Sequence, residues 1–272
     1  DIEFATAGHP YTLDKAKGDV YDRKLLNQRV RVYGDDIAAV VAVDEVAAAR
    51  AARLVKVTYE EYPPILSVDA ALAPEATPLH PNVRETNLLA HSSYAVGTGT
   101  YEEAKASEPG LVEFEGEYAT QTVQHCHLEP VQSFAYMEAN RIVVVSSTQI
   151  PHIARRVVGQ ALGIPWAQVR IVKPYIGGGF GNKQDVLYEP LNAYLTQQLG
   201  GKPVKLEISR EETMACTRVR HAIHARVKAL ARPDGTLIAR KLEAYSDQGG
   251  YASHGHSICA NTITMFKQLY HD

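Results

Sequence analysis

Cysteine is scarce in this chain. Cys126, Cys216 and Cys259 lie far apart and no C-x-x-C occurs. That spacing argues against an iron–sulfur cluster or a structural zinc held by cysteines. A sparse, odd count suits the reducing cytoplasm. No apolar run approaches the roughly 20 residues that cross a bilayer. The opening, DIEFATAGHP, carries no signal peptide and no methionine, and the start is read as a cut. Neither sign of charge is in excess: a net charge of −3 argues against a nucleic-acid partner. What remains, 45% hydrophobic and 22% charged residues, is the composition of a globular protein, and 272 residues allow one large or two ordinary domains. The expectation is a cytoplasmic protein with no membrane or nucleic acid among its partners.

Glycine, by contrast, is concentrated. Pro174–Lys183 reads PYIGGGFGNK and follows the β-branched run Val169–Val172. So many glycines imply positive φ or a neighbour pressed close to the backbone. A strand, a glycine turn and a helix start can face N–H groups toward an anion. The spacing fits neither standard phosphate loop. Asn182 precedes the lysine where a P-loop has glycine, and Asn182 or Gln184 stands where a dinucleotide fingerprint has its last glycine. A plain tight turn is an equal alternative.

In chain order, Val30–Tyr33 and Ile37–Val43 read as strands around the turn Gly34-Asp35-Asp36. Asp44 caps a helix, and Val55–Tyr59 is a further strand, giving a βαβ-like unit. Pro74–Gly110 has weak periodicity and reads as a linker or wrapping arm. Leu111–Gln121 is a strand, and Ser133–Tyr136 with Arg141–Ser146 form a hairpin. Pro151–Leu162 suits an amphipathic helix with Arg155 and Arg156 solvated, ended by Gly163 and Pro165. Trp166 reads as a core plug. Asp185–Leu199 is a helix, Val204–Ile208 a strand, and Ser209-x-x-Glu212 a capping box opening a helix over Arg210–Thr217. Ala222–Ala231 and Thr236–Tyr245 are strands about Pro233-Asp234-Gly235. The fold class is α+β, or mixed α/β.

Three constellations could carry chemistry. His125, His127 and Glu129 would share one face of a strand and suit a metal. The blander reading, favoured here, is that they pin a turn. His254 and His256 repeat the pattern in a glycine-rich stretch, read as a solvated loop. Gln149 stands at a strand's end, where its amide could donate to an oxo or phosphate oxygen or simply cap the next helix. Arg218, Arg220, His221 and His224 form a basic cluster. Arg220 could hold an anionic or carbonyl-bearing substrate, or be a solvated strand start.

Four stretches, QHCHLEP (124–130), SSTQIPHIARRVVGQALGIP (146–165), VKPYIGGGFGNKQ (172–184) and SREETMACTRVRH (209–221), resemble the large, molybdenum-binding subunit of the xanthine dehydrogenase family of molybdenum hydroxylases. The earlier GDDIAAVVAVDEVAAARAARLVKVTYEEYP resembles the family's α/β hammerhead domain. The resemblance implies a hammerhead-like α/β domain over 1–80, a linker over 81–110, and the first part of a molybdenum-cofactor-binding α+β domain over 111–272. It implies a molybdenum–pyranopterin cofactor, with the cytosine dinucleotide as one candidate form. Gln149, Gly178, Gly179, Phe180 and Gly181 would contact that cofactor, Gln149 and Phe180 facing molybdenum through it. Arg220 and Gln184 would meet the substrate. The implied reaction, part of purine metabolism, is hydroxylation of an electron-poor carbon with oxygen from water. Electrons would leave to iron–sulfur and FAD subunits on partner chains.

Two departures qualify this. Gln184 stands where purine-hydroxylating members often have glutamate, and cannot carry its charge. The Phe-Arg-Gly-Phe-Gly loop and the Gly-x-Gly-Glu segment that supplies the glutamate base do not occur before Asp272. No catalytic base is therefore expected within this chain, which reads as a piece of a longer subunit, inactive alone. The rival expectations are an aldehyde or other N-heterocycle hydroxylase, and a non-catalytic module that binds cofactor or partner.

Overall fold

In the computed structural model, which describes residues 2–7, 19–268 and 270, the described residues of the first third of the chain form no sheet. Phe4 bridges Arg23 through paired backbone hydrogen bonds of 2.8 and 3.2 Å. Val30–Tyr33, Ile37–Val43 and Val55–Tyr59, expected as strands, carry no ladder. β-Branched residues favour extended backbone, but a strand also needs a neighbour about 4.8 Å away, and no described residue supplies one. Val43 is accordingly 97% exposed. Helix α1, Glu45–Ala52, does form. Asp44 caps it by accepting a 2.8 Å bond from Ala47 N–H. The stretch that follows holds α2, Val68–Leu72, and α3, Tyr101–Ser107, the latter closed by a Thr100/Glu103 capping box.

Strand β1, Val112–Thr120, opens the second part. β2, Gln132–Glu138, and β3, Arg141–Ser146, form the expected hairpin. It turns on Ala139 and Asn140, both at positive φ (47° and 62°), the conformation whose twist matches paired strands. Helix α4, Pro151–Leu162, crosses back so that β4, Val169–Val172, lies parallel to β3. Pro151 suits the first turn because its missing N–H would be unpaired there, and Gly163 ends the helix at φ 65°. Helix α5, Glu189–Gln198, leads into β5, Val204–Glu207, which pairs antiparallel with β2. The sheet order is β4-β3-β2-β5.

Two apolar clusters hold α4. Val158 packs with Ala135, Ile142, Val144, Val169 and Ala193 on the sheet side. Ala154, Val157 and Ala161 pack with Phe4 and Val186 on the other. Trp166, half-buried, packs over Gly159. Arg155 is exposed as expected, but Arg156 is fully buried, which corrects the reading of both as solvated. Its guanidinium pairs with buried Asp19 and donates to the Ala7 carbonyl at 3.3 Å. The charge lies inside because a second charge meets it there. The helix expected from Asp185 starts at Glu189 instead. Residues Asn182–Gln184 make a short 3₁₀ turn, and Pro190 sets the first turn of α5.

Helix α6, Arg210–Cys216, opens with the predicted Ser209/Glu212 box. β6, Ile223–Ala231, and β7, Leu237–Ser246, form the second hairpin, and β1 pairs with β6 to complete a three-stranded sheet. Helix α7, Gly255–Gln268, replaces the loop expected around His254 and His256. The preceding glycines hid a 3.6-residue pattern in Ile258, Thr262, Ile263 and Phe266.

Candidate functional site

Beyond β4 the glycine loop is tied down by side chains from three directions. Glu129 is one anchor. Its Oε2 accepts from Gly177 N–H at 2.8 Å and from Lys183 Nζ at 2.5 Å, and its Oε1 accepts from Gln132 Nε2 at 2.8 Å. The Glu129 N–H returns a 3.1 Å bond to the Gly177 carbonyl. Burial alone would raise this carboxyl. The bonds from Lys183, Gly177 and Gln132 outweigh it and hold the group below the usual carboxylate range.

Asn182 is the second anchor. It is 1% exposed, and its Nδ2 donates to Thr217 Oγ1 at 2.8 Å and to the Arg218 carbonyl at 2.7 Å. Gln149 is the third. Its N–H donates to the Lys183 carbonyl at 2.9 Å, and its Oε1 accepts from Gly181 N–H at 3.1 Å. Because the partner is a donor, the atom facing the Gly181 N–H is the amide oxygen, which leaves Nε2 directed elsewhere. That Nε2 has no hydrogen bond among the described residues.

This closeness dictates glycine at two positions. A Cβ on Gly179 would lie 2.5 Å from Gln149 Oε1 and 2.7 Å from its Cδ, inside van der Waals contact. Gly181 sits at φ 96°, where it meets no crowding but an L side chain is strained. Between them Phe180 takes φ 50° despite its side chain and is 74% exposed. Strain of this kind persists where the surroundings over-determine it. The N–H groups of Gly178, Gly179 and Phe180 have no hydrogen-bond partner among the described residues. Three successive N–H groups of the loop and the amide nitrogen beside it are thus left as unpaired donors.

The other predicted residues divide. Arg220 is exposed, and its backbone bridges Val123 through bonds of 2.8 and 3.1 Å. Its guanidinium has no hydrogen bond or ion pair among the described residues. Gln184 is half-buried, with its N–H on the Gly181 carbonyl at 3.2 Å. Arg218 turns inward instead, to His254 Nδ1 at 2.8 Å and Asp185 at 4.0 Å. His221 is buried and His224 exposed, so the basic cluster is not one surface.

His125, His127 and Glu129 do not lie on a strand, and among the described residues no group of three or more His, Cys, Asp or Glu is arranged to hold a metal. His127 is 1% exposed and its Nδ1 donates to the Glu129 carbonyl at 2.5 Å. These residues pin the turn under the loop. Burial, then the Arg218 charge, pushes the His125 imidazole below its ordinary value.

Asp185 was missed by sequence reasoning. Burial would raise its carboxyl, yet His254, Arg218 and two 2.8 Å contacts from Ser253 Oγ hold it below the ordinary range. It ties the loop's far end to the start of α7. No local pattern marks it, because its partners lie 33 to 69 residues on.

The family model of the molybdopterin cofactor-binding domain matches residues 79–271. The aldehyde oxidase and xanthine dehydrogenase a/b hammerhead domain matches residues 5–63. The expected order, a hammerhead segment and then a cofactor-binding domain of mixed α and β structure, therefore holds. A xanthine dehydrogenase molybdenum-binding subunit from Escherichia coli O157:H7 is 51% identical over 271 residues, 99% of this chain and 35% of that protein. The nicotinate dehydrogenase large molybdopterin subunit of Eubacterium barkeri is 32% identical over 237 residues, 86% of this chain and 53% of that one. Aldehyde oxidoreductase from Desulfovibrio gigas superimposes with a TM-score of 0.80 at 29% identity, over 94% of this chain and 28% of that structure. The chain thus spans 35% of the length of the first curated relatives it matches.

Proposed function

The chain belongs to the molybdopterin cofactor-binding domain family, and from that premise we propose that it forms the glycine-loop side of the cofactor pocket in a molybdenum hydroxylase acting on a purine or related N-heterocycle. The observation that carries this is the nest: three unpaired N–H groups, Gly178 to Phe180, beside the unpaired Nε2 of Gln149. The cradle fits an anionic, oxygen-rich group. Its unpaired N–H groups and amide nitrogen are donors, and the carboxylates Glu129 and Asp185 are already engaged by Lys183 and by Arg218 with His254. When bound, the molybdenum–pterin group supplies two-electron redox chemistry that hydroxylates an electron-poor carbon with oxygen from water.

The chain's own residues bind and orient. Gln149 presents Nε2 to an oxygen of the cofactor, and Gly181 fixes that amide. Gly178, Gly179 and Phe180 would offer their backbone N–H groups to the same ligand. Arg220, whose guanidinium has no partner among the described residues, clamps the carbonyl or anionic edge of the substrate. Gln184 hydrogen-bonds a second edge. Iron–sulfur and FAD groups on partner chains would receive the electrons. Three free cysteines suit a cytoplasmic setting.

The test is Arg220→Ala in the complete enzyme assembled around this chain. Stranding a charged contact costs about 2–4 kcal/mol of transition-state binding, so kcat/KM for xanthine falls roughly 30- to 1000-fold while that for a simple aldehyde holds. The likeness to aldehyde oxidoreductase favours a second reading, in which Arg220 is idle. No change with xanthine would select it.

A further inference from the structure

The four residues Gly250–Ser253, just before α7, are gripped from two sides. On one side is the early part of the chain. His80 Nε2 donates to the Gly250 carbonyl at 2.6 Å across 170 residues, and Asp22 Oδ2 accepts from Ala252 N–H at 2.8 Å across 230. Between these bonds the Arg23 guanidinium lies 3.5 Å over the Tyr251 ring. The backbone approach is tight: a Cβ on Gly250 would meet Val32 Cγ1 at 2.4 Å. Asp22, His80, Tyr251 and Ala252 are all buried. Burial pushes the His80 imidazole down to about 4, so at neutral pH it is an uncharged donor.

On the other side is the exit of the glycine loop. Ser253 Oγ donates to the Asp185 carboxylate, 2.8 Å from each oxygen, and Asp185 directly follows Gln184. Ser253 takes φ 44° despite its side chain, a conformation that persists where the surroundings over-determine it. Gly250, Tyr251, Ala252 and Ser253 thus each answer to a different side chain: His80, Arg23, Asp22 and Asp185. A close-packed segment held at every residue has no slack, so a shift at Gly250 is passed along to Ser253 rather than absorbed.

We propose that Gly250–Ser253 is a relay, and that His80 and Asp22 are positioning residues for the glycine loop. They touch no loop residue. They set the seat of the relay, the relay sets Asp185 through Ser253, and Asp185 fixes where the loop ends. The consequence for ligand binding rests on the reading of the loop as a cofactor contact: an early segment that sits correctly holds the loop's N–H groups in their binding direction, and one that is displaced lets them wander.

The test is amide hydrogen exchange, read by mass spectrometry, in the complete enzyme assembled around this chain. The probes are the hydrogen-bonded amides of Gly181, Asn182 and Gln184. His80→Leu removes the donor at Gly250, and these amides exchange at least tenfold faster, while the β2–β3 hairpin stays within twofold of the parent. His80→Gln, which supplies an uncharged donor again, returns the loop to the parent rate. Ser253→Ala cuts the relay at its other end and loosens the loop as His80→Leu does. The double variant His80→Leu/Ser253→Ala is no looser than Ser253→Ala alone, because both substitutions break one line. An unchanged loop in His80→Leu, a hairpin that loosens in parallel, or no rescue by His80→Gln overturns the relay. Effects that multiply in the double variant overturn it too, since His80 and Ser253 then act independently. Molybdenum content per chain is measured on the same samples and falls as the loop loosens. A loosened loop at constant molybdenum content leaves the relay standing and overturns the cofactor reading of the loop.

Discussion

Gln149 and Gly181 stand 32 residues apart and meet through one bond, from the Gly181 N–H to the Gln149 Oε1 at 3.1 Å. That bond decides which way the amide points. Oxygen faces the Gly181 N–H and nitrogen is directed elsewhere, so a donor rather than an acceptor is offered to whatever occupies the nest.

The Gln149→Glu variant separates these two jobs. A glutamate oxygen still accepts from Gly181, and the fold survives with a melting temperature within a few degrees. The other atom becomes an anionic oxygen and repels an anionic group. In the complete enzyme, molybdenum and pterin content per chain therefore falls at least tenfold. Unchanged metal content in Gln149→Glu would remove Gln149 from the cofactor side.

Gly179→Ala and Gly181→Ala are expected to fail differently. The first places a Cβ 2.5 Å from Gln149 Oε1, so Gln149 must swing away and the nest opens. Pterin content drops with little change in melting. The second meets nothing closer than 3.7 Å, but it forces alanine to φ 96°. It costs roughly 1–2 kcal/mol of backbone strain, read as lowered melting, and the amide keeps its direction. Equal behaviour of the two variants in both assays would show that the close approach at Gly179 carries no function.

Glu189 gives a pH test. It is buried, Ser146 Oγ donates to its Oε1 at 2.6 Å, and its Oε2 has no partner. Burial raises its carboxyl above the ordinary range despite the bonds from Ser146 and nearby backbone. The folded chain therefore keeps this proton at a pH where the unfolded chain, ionising near ~4.3, has lost it. Stability from this group is full below that pH and declines as pH rises through the folded value. Glu189→Gln removes the titration. The melting temperature of the variant relative to the parent should climb between pH 4 and pH 8, and a difference independent of pH would refute the assignment.

Much of the cofactor-binding part was legible because its signals are local. Pro151 and Gly163 bracket α4, Ser209 and Glu212 box α6, and the glycine run marks the loop. The site's supports were not legible. Glu129 meets Lys183 across 54 residues, and Asp185 meets Ser253 across 68. No periodicity records such meetings. The early strands were misread for a related reason: Val, Ile and Tyr specify extended backbone, but pairing needs a partner that local sequence does not name. The helix α7 was missed because Gly249, Gly250 and Gly255 drew attention from the apolar stripe beyond them.

Arg155 and Arg156 turn the same lesson into a measurement. They are neighbours of one residue type on one helix, and a purely local reading treats them alike. Arg155 is exposed, whereas the side chain of Arg156 is 0% exposed against an Asp19 side chain at 2%. Removing one partner of a buried ion pair costs about 3–5 kcal/mol. Arg156→Met should therefore lower the melting temperature by roughly 6–15 °C, and Arg155→Met should shift it by no more than a degree or two. The double variant Arg156→Met/Asp19→Leu tests the cause. If the penalty comes from breaking the ion pair, the second substitution restores most of the loss, because an apolar pair of similar volume can replace a buried ion pair. If the double variant is as unstable as Arg156→Met alone, the arginine acts through its packing against α4 and its bond to the Ala7 carbonyl, and the ion pair itself contributes little.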